Sequence, residues 1–292
     1  MANYMYKAIT RFLAVALCVC ILALSACISD NATGTAYNKA TAYTLSNIAY
    51  GSDAQQKMDI YLPANRSADS TKVFVLIHGG GWTGGDKADC TDFLNGLKNL
   101  YPGYAVININ YRLATSASPG YPKQINDIQA ALNEIQLPKY GVSKQYFLFG
   151  WSAGGHLSLL YAYAFDAEHN VKGICNTVGP TDFTDPAYTN NPLYAGLLNA
   201  FTGLAYTQNP ALHSEVSPAK RVTATVPKTI SFYGDMDPLI PTSQMGRLHQ
   251  ALDSAGVYNE ATMYPGEAHG IWNTTNMQDY INKMISFVNR FF

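Results

Sequence analysis

Charge is scarce in this chain. Only 13% of its 292 residues are Asp, Glu, Lys or Arg, and 19 basic against 20 acidic side chains leave a net charge of −1. No run of Lys or Arg occurs, so binding of nucleic acid or any other polyanion has no electrostatic basis. Cysteine is sparse too, at five, and no CxxC, HxxxH or HExxH spacing exists. Neither a structural nor a catalytic zinc is supported, and no metal or cofactor is expected. The apolar run Phe12–Leu24 stops well short of the ~20 residues that span a bilayer. What the chain has in quantity is apolar side chains, 48% of the total, enough to bury a sizeable core and to exclude wholesale disorder. Tyr is unusually frequent at 21 copies; surface tyrosines suit carbohydrate or aromatic ligands, and core packing explains them equally well.

The amino terminus reads as a processing signal. Lys7 and Arg11 precede Phe12–Leu24, and small residues follow in Leu24-Ser25-Ala26-Cys27. A basic start, a short apolar core and a small-residue cleavage site make a secretory signal. The final four residues resemble a bacterial lipobox, which implies that Cys27 becomes the lipidated first residue of an exported protein, with ordinary cleavage near Ala26 and a soluble secreted product as the alternative. Ile28 after Cys27, rather than Asp, favours the outer membrane where the host has one. The expected organisation is therefore a signal peptide over 1–26, a flexible tether over 27–41 and a single domain over 42–292. A tether of this composition spans about 20 Å. Once the signal and Cys27 are set aside, Cys90 and Cys175 remain, far apart in the element order, and are expected unpaired.

Along the rest of the chain, short β-rich runs alternate with stretches of helical spacing. Strands are expected at Met58–Leu62, Val73–Ile77, Ala105–Asn110, Tyr146–Phe149, Val171–Asn176, Thr229–Tyr233 and Ala261–Tyr264, with Tyr43–Tyr50 and Met58–Leu62 as an antiparallel leading pair. Several are continuously apolar, as burial on both faces requires. Phe93-Leu97-Leu100, Ile125-Ile128-Leu132-Ile135 and Met284-Ile285-Val288 carry helical periodicity. The alternation predicts an α/β fold: a mostly parallel sheet of about eight strands covered by helices on both faces. Asp182–Pro227 interrupts it, rich in Pro, Asn and Thr with one helical patch at Leu193–Leu204, and is expected to act as an insertion or partial lid.

Four short places carry chemistry. Gly150-Trp151-Ser152-Ala153-Gly154-Gly155 follows the strand Tyr146–Phe149 and precedes an apolar helix. A Gly-x-Ser-x-Gly turn this sharp excludes bulky side chains at its flanks and lifts the Ser hydroxyl above the sheet edge; a glycine-rich turn with an inert Ser is the plainer reading. His78-Gly79-Gly80-Gly81-Trp82 follows Val73–Ile77, and the amides of Gly80, Gly81 and Ala153 are candidates to stabilise an oxyanion. A phosphate-cradling loop is the alternative there, but Gly-x-Gly-x-x-Gly and a Lys-Ser/Thr pair are both missing. Asp237 in Tyr233-Gly234-Asp235-Met236-Asp237-Pro238 and His269 in Gly266-Glu267-Ala268-His269-Gly270 each leave a strand at its carboxyl end, where open α/β sheets place their sites. The chain order Ser152, Asp237, His269 is that of the α/β-hydrolase topology. Asp235 is a rival to Asp237 as the acid.

With these motifs the chain resembles α/β-hydrolase esterases with an HGGG-type oxyanion loop, akin to the hormone-sensitive-lipase group. More narrowly, it is similar to bacterial acetylxylan/feruloyl-type polysaccharide esterases, through Asp59-Ile60-Tyr61-Leu62-Pro63, His78–Trp82 with Gly85-Asp86-Lys87, and Asn110-Tyr111-Arg112-Leu113. The likeness runs from Asn47 to Phe292 and departs in the insertion and in the lack of a long helical lid before the first strand. It implies an acyl-ester hydrolase with a fairly open site, acting on small acyl esters or acylated glycans. Ser152 is then the nucleophile, His269 the base and Asp237 its orienting acid. Trp82 and Trp151 flank the site as a candidate aromatic wall, with ordinary packing as the equal alternative. His78 is expected to brace the glycine loop, His156 to be a packing or surface residue, Tyr111-Arg112 to be structural and Asp182 to anchor the insertion. A serine exopeptidase of the prolyl-peptidase kind shares this sheet and order, and a non-catalytic glycan-binding module could keep the fold without the chemistry.

Overall fold

The computed structural model describes residues 36–292; the signal 1–26, Cys27 and the start of the tether lie outside the described residues. One sheet of eight strands runs through the domain: β1 (Tyr43–Ala49), β2 (Lys57–Leu62), β3 (Val73–Ile77), β4 (Ala105–Ile109), β5 (Tyr146–Trp151), β6 (Val171–Thr177), β7 (Lys228–Gly234) and β8 (Asn259–Tyr264). Their spatial order is β1-β2-β4-β3-β5-β6-β7-β8. β1 and β2 form the expected antiparallel pair, β2 is antiparallel to β4, and every later neighbour is parallel. The helices are α1 (Thr91–Leu100), α2 (Lys123–Ile135), α3 (Ala153–Ala164), α4 (Pro186–Thr189), α5 (Pro192–Thr202), α6 (Pro210–Glu215), α7 (Ser243–Ser254) and α8 (Thr274–Phe291).

Every residue of β3 and β4 is buried, because successive side chains enter different cores. Val73, Val75 and Ile77 join Ile107, Leu148, Ile128 of α2 and Leu157 of α3 on one face. Phe74, Leu76, Phe147 and Phe149 join Phe93 of α1 and Met284 and Phe287 of α8 on the other. Cys90 and Cys175 form no disulfide; both lie in this second core, and burial pushes the Cys175 thiol up to about 12.

The insertion is more helical than its composition suggests. Instead of one patch it holds α4, α5, α6 and a 3-10 turn at Pro218–Lys220, each opening on a proline. Proline in a first turn forfeits no hydrogen bond and presets φ, so the residues that read as loop-formers start helices. The side chains of Asp185 and Asn209 cap two of them, accepting from the amides of Ala187 and Leu212. Asp182 anchors the segment as expected: Arg247 donates to it and to Asp185, at 3.0 Å each, with Lys220 3.5 Å from Asp182.

Residues 37–41, expected as the end of a tether, are packed against the domain. The buried Arg66 side chain donates to the carbonyls of Tyr37 (2.9 Å), Thr41 (2.8 Å) and Tyr140 (2.6 Å), and Tyr37 stacks on Tyr140. Tyr37–Thr41 therefore belong to the folded unit.

Candidate active site

The turn from β5 into α3 places Ser152 at φ 52°, ψ −120°, a conformation costly for any residue with a Cβ. Glycines make it possible by close approach. A Cβ on Gly150 would sit 2.2 Å from the Gly154 carbonyl oxygen, one on Gly154 would sit 2.1 Å from that of Ile77, and one on Gly155 would sit 2.3 Å from Asn176 Oδ1. The Ser152 amide is tied to the Thr177 carbonyl at 2.8 Å. The hydroxyl stands at the carboxyl edge of the sheet, where β7 and β8 deliver the other two groups.

Ser152 Oγ lies 3.0 Å from His269 Nε2, and His269 Nδ1 lies 2.6 Å from Asp237 Oδ2. The Asp237 side chain is fully buried while the imidazole is 22% exposed. Asp237 is held from behind, its Oδ1 accepting from the amides of Leu239 (2.8 Å) and Ile240 (3.0 Å). Asp235 turns elsewhere and accepts from the Gly266 amide at 2.6 Å. Residues 152, 237 and 269 thus form one hydrogen-bonded line, and Asp235 is outside it.

Beside that line runs the glycine loop. Gly80 and Gly81 have φ of 113° and 59°, and a Cβ on Gly80 would meet the Gly84 carbonyl oxygen at 2.1 Å. His78 Nδ1 donates to the Gly79 carbonyl at 2.7 Å, its ring stacks on Tyr111 at 4.2 Å, and the Tyr111 hydroxyl donates to the His78 carbonyl at 2.9 Å. His78 and Tyr111 therefore brace the loop. Arg112 forks onto buried Asp127 at 2.7–3.0 Å, which makes it structural too. Gly80, Gly81 and Ala153 border the same cleft as Ser152 and His269.

The two tryptophans differ. Trp151 borders the cleft with its ring edge-on to Phe93. Trp82, at φ 64°, borders it as well, but only 4% of the residue is exposed. Its ring is spent on His156, Phe183 and Phe201. His156 receives the Trp82 Nε1–H at Nδ1 (3.3 Å) and donates from Nε2 to the Val216 carbonyl at 2.8 Å, so this wholly buried imidazole joins the glycine loop, α3 and the insertion in its neutral form. Burial lowers its pKa from 6.5 to about 4. Between those values the unfolded chain binds a proton that the folded one refuses, so stability is complete above pH ~6.5 and falls as the pH drops toward 4, by about 3 kcal/mol. His78, His213 and His249 are shifted the same way by burial. Urea midpoints measured from pH 7 to 4 should therefore drop steeply for the wild-type protein and less for His156→Gln; parallel curves would remove His156 from the account.

The cleft holds about 670 Å³. The sequence motifs account for its floor. Its walls are Tyr188, Tyr194, Leu197 and Leu198 from the insertion, with Leu239, Ile240 and Ile271 from the loops carrying Asp237 and His269. No chemistry-bearing pattern marks these residues; the apolar patch at Leu193–Leu204 was the available signal. Tyr194 closes one side by donating to the Pro238 carbonyl at 2.8 Å. Among the described residues, no group of three or more His, Cys, Asp or Glu side chains could hold a metal ion.

A mostly parallel sheet with this strand order, a strained serine between β5 and α3, and acid and imidazole delivered after β7 and β8 define an α/β-hydrolase. The family follows from comparison: the BD-FAE model matches residues 58–252, more than half of the chain, and the protein belongs to that family. Esterase LipC of Mycobacterium tuberculosis is 24% identical over 246 residues, which cover 76% of this chain and 59% of the relative; the chain thus spans little more than half of that protein. Among solved structures, a bifunctional GH43-CE protein of Bacteroides eggerthii is 26% identical with a TM-score of 0.71, covering 87% of this chain and 38% of that one. A truncated carbohydrate esterase from gut microbiota has a TM-score of 0.66 at 22% identity, covering 86% of this chain and 99% of its own.

Proposed function

We propose that the protein hydrolyses carboxylic esters through an acyl-enzyme on Ser152, and that its substrates are short acyl or hydroxycinnamoyl esters of glycans. The observation that carries the reading is the line from Asp237 through His269 to Ser152, set in a cleft beside the Gly80–Gly81 loop. His269 takes the Ser152 proton as Oγ attacks the ester carbonyl, and the negative charge forming on the carbonyl oxygen is met by the amides of Gly80, Gly81 and Ala153. His269 then returns the proton to the departing alcohol, leaving an ester on Ser152. Water, deprotonated by the same imidazole, releases the acid and restores the serine. Asp237 holds the tautomer with the proton on Nδ1 and stabilises the imidazolium. The esterase relatives support ester hydrolysis, and the carbohydrate-esterase neighbours support the glycan as the alcohol side.

Purified protein should be labelled by a fluorophosphonate probe at Ser152 and should turn over acetyl or feruloyl esters faster than dipeptide amides. A probe-inert serine would argue for a binding module, and preferred amide cleavage for an exopeptidase.

A further inference from the structure

Past the glycine loop the chain makes a short 3-10 turn, Lys87–Cys90, that runs directly into α1. Among the described residues that border the cleft, Asp89 in this turn alone carries a carboxylate. A reciprocal cap fixes its place: the Asp86 side chain accepts from the Ala88 amide at 2.8 Å, and Asp89 Oδ2 accepts from the Asp86 amide at 3.2 Å. Asp89 is only half-buried. Its Oδ1 has no donor among the described residues and keeps surface open to solvent. Four residues on, Phe93 of α1 seats the ring of Trp151, 4.8 Å between centroids at 80°. Trp151 is half-buried as well, borders the same cleft and immediately precedes Ser152. This stretch of wall therefore combines a flat aromatic ring with a spare, positioned acceptor. The insertion and the loops carrying Asp237 and His269 supply Leu197, Leu198, Leu239, Ile240 and Ile271 instead.

We propose that Asp89 is a specificity-determining residue whose Oδ1 accepts from a free hydroxyl of the sugar on the alcohol side of the ester. The inference rests on ester hydrolysis at Ser152. A pyranose presents C–H groups on its face, which suit an aromatic ring, and hydroxyls around its edge, which suit a carboxylate. The apolar walls suit an acyl group and leave the carboxylate to the polyhydroxy half of the substrate. A hydroxyl donating to a carboxylate makes a charge-assisted bond, about twice as strong as a neutral one. An alcohol of the same shape without that hydroxyl would cover the carboxylate and leave it unpaired, which is how a polar site rejects an analogue.

The test compares wild-type protein with Asp89→Ala and Asp89→Asn on an acetylated methyl xyloside and on cyclohexyl acetate, a ring of similar size without hydroxyls. In Asp89→Ala, kcat/KM should fall about tenfold on the xyloside, mostly through KM, and less than about threefold on cyclohexyl acetate. Asp89→Asn keeps an oxygen for the Asp86 amide but presents a neutral amide to the cleft, so it should show the same preference with a smaller loss. Equal losses on both esters in Asp89→Ala, restored in Asp89→Asn, would mark the carboxylate as a fastener of the turn and overturn the inference. A loss that instead separates methyl 4-hydroxycinnamate from methyl cinnamate would move the contact to the acyl side and overturn it too. No loss on the xyloside, while the wild type remains active and Ser152 takes a fluorophosphonate label, overturns it and leaves the hydrolysis reading standing. Wild-type protein inert on both acetates overturns it as well, and an unlabelled Ser152 in that sample would take the hydrolysis reading with it.

Discussion

Replacing Ser152 with Ala should lower kcat on a chromogenic acetate by at least ~10⁴-fold and shift the melting temperature by no more than about 4 °C. The two parts of this expectation have separate causes. Removing the nucleophile of a serine hydrolase leaves only the assistance of the oxyanion donors and of binding, and the three members of such a line fail as a unit. Stability responds little because the strain at φ 52° resides in the backbone and is the same for Ala as for Ser, while the neighbouring glycines that permit the turn are untouched. What is lost is one hydrogen bond to a partly exposed imidazole, worth about 1 kcal/mol. Steady-state kinetics and calorimetry on the same preparation check both halves. Retained turnover with an intact melting transition would take the chemistry away from Ser152. A collapsed melting transition would instead show that the hydroxyl holds the turn together.

The framework was legible in the sequence because burial on both faces writes itself as continuous apolar strands: Val73–Ile77 was expected with the bounds observed. The turn that carries Ser152 is legible for a different reason. Backbone crowding at Gly150, Gly154 and Gly155 admits no side chain, so geometry appears directly as residue type. The walls of the cleft lack any such signature. Leu197 and Leu198 are identical and adjacent, yet one is 38% exposed and the other 4%; helical spacing finds the apolar patch but not how far each of its residues is buried. Trp82 and Trp151 look alike beside their glycine motifs. A left-handed backbone and a hydrogen bond to His156, whose partner is 74 residues away, send one ring into the interior. The helices of the insertion are hidden in the sequence because proline both ends helices and begins them, and only the cap that precedes it distinguishes the two.

Asp237→Asn should lower kcat by ~10⁴-fold with little change in KM, whereas Asp235→Asn should lower it less than threefold. The contrast follows from what each carboxylate accepts. Asp237 uses Oδ1 for the amides of Leu239 and Ile240 and Oδ2 for His269. An Asn there keeps its carbonyl oxygen on the two amides, which turns its NH₂ toward Nδ1. Two donors cannot face one another, so the imidazole takes the opposite tautomer, with its proton on Nε2. That nitrogen then donates to the Ser152 hydroxyl instead of accepting its proton, and the base is lost although every heavy atom remains in place. Asp235 accepts from a single amide, that of Gly266, and the carbonyl oxygen of an Asn serves equally well, so at most a small stability cost follows. Kinetics on the two variants side by side separate a positioned acid from a loop fastener, because a merely structural role would make their losses similar and would move KM and melting temperature together. Comparable losses in kcat would mean that the 2.6 Å contact between Asp237 and His269 does not set the tautomer, and a larger loss at residue 235 would transfer the role to it.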